Sequence, residues 1–416
     1  MRTPVTLSAA LLLGFAAAAR AQQPPASTLD AVATRIVNAS ARVAQGDIVL
    51  IRGNTKDQDL LERLAVKVRA RGAFPIVSCS TDALTRAMFD DVPAELDSQL
   101  NAADVRLATM VNAVIIIDRV DNPSLLNHVP PARLAARARA DAAAWELLRR
   151  ARVRTVVLGG GLFPTAATAN QYALTQDELA RMFWDAALAQ PAGLDATGQV
   201  VRQSLAGKEA RITNPNGTDI RFRIEGRRAW VNDGELEEPA PGQPAPPLHV
   251  TLPAGDVSIV PVPGTAEGRV VADTLTYRGR EITGLTLVFK AGRVTSMNAK
   301  TGIEALRQLY DAAGPGKEQL AYLQIGVNGL VRLPAGVKIN APMPAGMITL
   351  GIGNNLNAGG ENASPFAAAV FLPGCTLKVD DQAVVDAGRL VMPTSPDEDP
   401  ESPPPGPATE PEPGTP

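Results

Sequence analysis

An α/β domain built on a parallel sheet, followed by a mainly β (α+β) domain, is the fold this sequence predicts. Short apolar runs alternate with amphipathic stretches through the first half. One run, Ala113 to Asp118 (AVIIID), is so uniformly apolar that both its faces should be buried, as in a parallel sheet. From about Thr197 the texture changes to closely spaced strands and turns.

In the first half, Ser27-Thr28-Leu29-Asp30 reads as a capped helix start, with Leu29, Val32, Ala33, Ile36 and Val37 at helical spacing. Asp47 to Gly53 (DIVLIRG) is a strand. A second helix carries Leu60, Leu61, Leu64 and Val68 on one face and stops at Gly72. Phe74 to Cys79 and Ala113 to Asp118 are strands, and Pro130-Pro131 opens a long Ala/Arg-rich helix. Arg154 to Leu158 is a further strand, and Thr175 to Ala189 a final helix. Gly159-Gly160-Gly161 lacks the Lys-Ser/Thr of a phosphate loop and the dinucleotide spacing, so backbone turning is its expected role.

In the second half, Asn214-Pro215-Asn216-Gly217 reads as a hairpin turn and Glu238 to Pro247 as a Pro-rich loop. Strands are expected at 248–252, 257–262, 268–277, 281–289, 293–298, 347–352 and 377–385, with one helix over 302–312. No repeat of solenoid length is present.

The ends differ from the body. Arg2, the apolar run Val5 to Ala19 and the small residues of Ala19-Arg20-Ala21 read as an export signal cleaved after Ala21. Pro393 to Pro416 is acidic and Pro-rich and is expected to be disordered. The expected organisation is thus a signal at 1–21, an α/β domain at 22–195, a mainly β domain at 196–392 and a tail at 393–416. That implies a soluble periplasmic or extracellular protein with no membrane insertion once the signal is removed. A net charge of -3 gives no electrostatic case for nucleic acid. Cys79 and Cys375 fall in different halves, leaving either a bridge between domains or two buried thiols.

Several segments together resemble the metallo-aminopeptidases of the aminopeptidase T and aminopeptidase S type. Leu252 to Asp273 (LPAGDVSIVPVPGTAEGRVVAD) resembles the opening of that family's active-site domain. Ile325 to Asn328 (IGVN) is similar to its Ile-Gly-x-Asn, and Gly346 to Asn355 (GMITLGIGNN) to its Gly-Thr-x-His-x-Ala-x-Gly. Gly359 to Phe366 (GGENASPF) and Lys378 to Leu390 (KVDDQAVVDAGRL) are similar to the segments that follow. In the first half, Gly46 to Gly53, Arg71-Gly72-Ala73 and Pro164 to Glu178 keep the family order, so the resemblance spans Ala26 to Leu390.

The resemblance implies two divalent ions (Zn, Co or Mn) held by carboxylates and imidazoles, activating a water for hydrolysis. It also implies a homodimer. At the implied ligand positions, the first Glu is replaced by Asp256, which could still bind, and the second by Tyr322. The His of Gly-Thr-x-His is Thr349, and the later His-x-Asp pair is Ala367 and Ala369. An acidic pair before Gly-Thr is replaced by Ala341 and Pro342, and the 354–358 loop lacks the family Tyr. His128 and His249 are the chain's two histidines, so no realignment beyond residue 249 restores an imidazole. Asn354, Asn355, Glu361 and Asn362 leave two readings open, an oxygen-only calcium or magnesium site or side chains spent on turns. No Gly-x-Ser-x-Gly, Ser-x-x-Lys or His/Cys pairing suggests another nucleophile.

The expectation is therefore a pseudo-peptidase with no catalytic residue and no bound cofactor, whose cleft still takes peptides or envelope proteins. An active aminopeptidase with relocated ligands and two divalent ions is the alternative. A structural envelope protein tethered by its tail is a third reading.

Overall fold

The computed structural model describes residues 24–238, 245–334, 336–337 and 341–392. The expected signal at 1–21, the centre of the Pro-rich loop and the tail at 393–416 lie outside the described residues.

Five parallel strands form the first sheet, in the order Phe74–Ser80, Ile48–Asn54, Ala113–Ile117, Arg154–Leu158, His249–Leu252. The central apolar runs pair side by side because residues buried on both faces fit a sheet covered on both faces, while the edge strand Phe74–Ser80 stays largely exposed. On one face, helices Ala26–Arg35, Gln58–Ala70 and Gln176–Ala187 supply Val32, Leu61, Leu64 and Phe183 to a core shared with Val49, Ile51, Ile115 and Val156. Phe183 meets Phe163 and Trp184 edge-on, with centroids 5.4 and 4.8 Å away. The opposite face is thinner: Leu50, Val111, Val114 and Val153 make up its buried cluster.

Four sequence expectations are corrected here. The helix start expected to be capped at Ser27-Thr28-Leu29-Asp30 is helix Ala26–Arg35, which begins at Pro25 with no side-chain cap. The strand at 248–252, expected among the antiparallel strands, instead completes the parallel sheet, with Thr155 opposite His249 and Leu158 opposite Leu252. The strand texture expected from Thr197 is preceded by a helix, Pro191–Ser204. Its Gly198 sits so close to Val231 that an added Cβ would lie 2.4 Å from Val231 Cγ1. The glycine that weakens the helical pattern is what lets the helix pack. Cys79 and Cys375 are both free thiols, but Cys79 is exposed and only Cys375 is buried.

The remaining strands form two antiparallel sheets that share one core. The eight-stranded sheet runs Arg293–Asn298, Arg280–Lys290, Glu267–Tyr277, Thr218–Arg223, Glu209–Asn214, Thr376–Val379, Gln382–Asp386, Arg389–Leu390. The five-stranded sheet runs Ala367–Leu372, Ile348–Gly353, Leu320–Gly326, Asp256–Ile259, Ala229–Asn232. Ile212, Phe222 and Leu287 from the first meet Val257, Leu323 and Leu350 from the second. Helix Glu304–Ala312 sends Leu306 into this core, while its Leu309 packs with Phe89, Val129 and Leu134 of the first half. Among the described residues no helix is long and apolar enough to cross a membrane.

His249 opens the fifth parallel strand, and burial holds its imidazole down at about 4. The unfolded chain would take up a proton near pH 6.5, so stability is full above that value and is lost as pH falls from there toward 4. A urea series at pH 7 and pH 4.5 should show up to roughly 3 kcal/mol of this loss. The His249→Gln variant should show that much less of it.

Candidate functional site

The carboxyl ends of the fourth and fifth parallel strands meet the start of the five-stranded sheet. Gly159 N–H donates to Leu252 O at 2.7 Å, and the chain then runs through Pro253, Ala254 and Gly255 to Asp256. Gly160 and Gly161, at φ +57° and +80°, turn the backbone here, which is the role expected of the triple glycine.

Asp256 is placed by the Ile-Gly-x-Asn segment. Asn328 is fully buried and donates its Nδ2 to Ala254 O at 2.6 Å, and Val327 N–H donates to Gly255 O at 2.8 Å. Gly255 has φ +117°, and a Cβ there would stand 2.5 Å from that of Asn328. Only glycine fits this approach.

Strand register then gathers the five implied ligand positions on one face. Asp256 lies opposite Gly326 and Asn232, Gln324 opposite Ser258 and Thr349, Tyr322 opposite Gly351, Gly351 opposite Ala369, and Gly353 opposite Ala367. The intervening residues point the other way into the apolar core.

The chemistry of that face is altered. Asp256, 5 % exposed, accepts from Asn232 Nδ2 through one oxygen and from Gln324 Nε2 through the other, both at 2.8 Å. Burial pushes its carboxyl above the usual range, and the two amides oppose that shift. Burial, with the Asp256 charge adding to it, pushes the Tyr322 phenol up to about 12, so it stays protonated. Thr349 is fully buried, and its Oγ1 has no partner among the described residues, nor does Asn232 Oδ1. The Tyr322 ring lies across Gly351, where an added Cβ would come within 2.2 to 2.5 Å of three ring carbons.

A two-metal centre does not fit these residues. Each Asp256 oxygen already accepts one amide N–H, and Asp256 is the one acid among the five implied positions. Tyr322 and Thr349 offer neutral hydroxyls, and Ala367 and Ala369 offer methyl groups. Among the described residues no group of three or more His, Cys, Asp or Glu side chains could hold a metal ion. In the oxygen-rich segment, Asn354 Oδ1 accepts from Leu356 N–H and Asn355 Oδ1 from Asn362 N–H. Asn362 Nδ2 donates to Gly316 O and Gly353 O, so these side chains shape turns. His128 pairs with Asp90 at 2.7 Å, and His249 Nε2 lies 3.3 Å from Thr251 Oγ1.

Sequence reasoning missed Asn232, Gln324 and Gly351. Gln324 left a signal, as a polar residue between apolar ones two positions before Gly326 and so on the same strand face as Tyr322. The Tyr322–Gly351 contact is testable. Gly351→Ala alone should cost about 2 kcal/mol by overpacking, and under about 0.5 once Tyr322→Ala has removed the ring. Urea unfolding of the two single variants and the double variant measures this coupling.

A family model described as thermophilic metalloprotease (M29) matches residues 26–315. The match covers Asp256 and ends before the segment carrying Tyr322, Thr349, Ala367 and Ala369. Wild-type AmpT from Thermus thermophilus is structurally similar, at TM-score 0.63 and 20% identity over 88% of this chain and 99% of that one. A 2,5-dihydroxypyridine dioxygenase from Pseudomonas putida KT2440 is similar at TM-score 0.56 and 16% identity, over 88% of this chain and 98% of that one. At such identities both likenesses concern the fold. A search of curated proteins gave no match. With its family match spanning well over half of its length, the chain belongs to the M29 family of thermophilic metalloproteases.

Proposed function

We propose that this protein is an exported, non-hydrolytic member of its metallopeptidase family, retaining the scaffold as a binding protein for peptides or envelope proteins. One observation carries the reading. The single acid left at the implied ligand positions, Asp256, is hydrogen-bonded through both oxygens to side-chain amides, while the other four positions are Tyr, Thr, Ala and Ala. Hydrolysis by this family needs a metal to polarise the carbonyl and activate water, and that role has no supporting donor set here. The glycines and Asn328 hold the backbone of this face in place, in keeping with a fold kept for another purpose. Exposed apolar side chains at Phe74, Val77, Leu84, Met88, Leu96 and Met110 support protein contacts, including the homodimer that the family resemblance implies.

The test is hydrolysis of leucyl and other aminoacyl p-nitroanilides by the full chain, with zinc, cobalt or manganese added. No turnover above the metal-only blank is expected. Turnover abolished by a chelator would establish an active aminopeptidase with relocated ligands and overturn the proposal.

A further inference from the structure

On the thinner face of the parallel sheet, helices Ala102–Met110 and Pro131–Arg150 line a cavity of about 130 Å³. Leu50, Ala108, Val111 and Val114 are nearly fully buried and form its floor, while Trp145, 42 % exposed, stands at its rim. The void has a local cause. Ala108 on one helix and Ala144 on the other lie where larger side chains would fill the space.

Three charged groups line the same cavity, and they do not cancel. Arg52 is bonded to Asp104. Asp141 is partly buried and has neither a hydrogen bond nor an ion pair among the described residues. Arg137, the other guanidinium that acts on it, is engaged by Asp97 at 3.2 Å. Burial accordingly pushes the Asp141 carboxyl above its usual range. A partly buried carboxylate with no bonded partner, beside Leu50, Val114 and the Trp145 side chain, is a setting that a cation with an apolar stem would complete.

We propose that this cavity binds a small organic cation, an ammonium group on a short aliphatic or aromatic stem. The stem packs against Leu50, Val114 and the Trp145 ring, and the ammonium pairs with Asp141. A cavity of about 150 Å³ accommodates benzene, so a stem of about four to six carbons suits this one. The proposal stands apart from the altered metal face, because it draws on none of that face's residues.

Isothermal titration of the full chain with n-butylamine at pH 7, where it is a cation, and with its neutral analogue 1-butanol tests this. The amine should bind at least about tenfold more tightly, the ratio expected of one added charge-assisted contact. Asp141→Asn should remove that preference while leaving butanol affinity within about twofold. Ala144→Leu should abolish binding of both by filling the chamber, and circular dichroism would confirm that each variant is folded. Equal affinity for the two probes, no saturable binding of butylamine, or undiminished binding in Ala144→Leu would overturn the assignment.

Discussion

Replacing Gly326 by alanine is expected to lower stability by about 3 kcal/mol, at the upper end of ordinary overpacking. The added Cβ would stand 2.0 Å from Pro344 O, 2.5 Å from Pro342 O and 2.8 Å from Met343 C. All three are backbone atoms, so no side-chain rotation relieves the clash. The segment is also pinned, since Gly326 N–H donates to Met347 O and Gly346 N–H donates to Gly326 O, both at 2.9 Å. Moving it would strain the strand opposite Asp256. Gly329, three residues on, has nothing within 4 Å of an added Cβ, and Gly329→Ala should be nearly neutral. Urea denaturation of the two variants separates crowding at residue 326 from a general effect of the substitution.

Arg133→Leu should lower the unfolding midpoint clearly, because it breaks an ion pair on one side and leaves the other charge without its main partner. Asp97 is fully buried, and Arg133 bonds it through Nε and Nη2. The same guanidinium donates to Phe89 O and Val92 O and lies 5.6 Å from the Phe89 ring centroid. One side chain therefore ties the 89–97 segment to helix Pro131–Arg150. Without it, Asp97 keeps a single contact, to Arg137. Adding Asp97→Asn should recover part of the loss by removing the stranded charge, whereas Asp97→Asn alone should cost less than Arg133→Leu. Guanidinium unfolding curves of the three variants measure this order.

The central strands of the parallel sheet were legible because burial on both faces writes uninterrupted apolar runs such as Ala113–Ile117. The helix expected from Thr175 is Gln176–Ala187, and the structure closes its start with a capping box between Thr175 and Glu178. Helices Asp82–Asp90 and Ala102–Met110 were not legible. Each buries a single residue, Phe89 and Ala108 respectively: Ala102–Met110 carries no apolar stripe, and the Leu84 and Met88 stripe of Asp82–Asp90 faces outward. Membership of His249–Leu252 in the parallel sheet depends on pairing with a strand about ninety residues earlier, which local pattern does not encode.

At the candidate site, the glycines around the five implied positions are fixed by close backbone contacts. A Cβ on Gly353 would lie 2.2 Å from Phe366 O, and one on Gly346 would lie 2.0 Å from Gly388 O. Such glycines keep their spacing whatever happens to the neighbouring donors. The partners of Asp256 could not be located from the sequence. Asn232 and Gln324 reach it across strands from 24 and 68 residues away, and neither belongs to a motif segment.

Everything proposed for function rests on one property, that the Asp256 face does not supply the donors a pair of dications requires. Zinc content after loading and gel filtration, measured by elemental analysis on the natural chain and on Asp256→Ala, tests this most directly. The account predicts well under about 0.2 equivalents of zinc in both proteins, with no difference between them. About one or two equivalents in the natural chain, lost in Asp256→Ala, would contradict it.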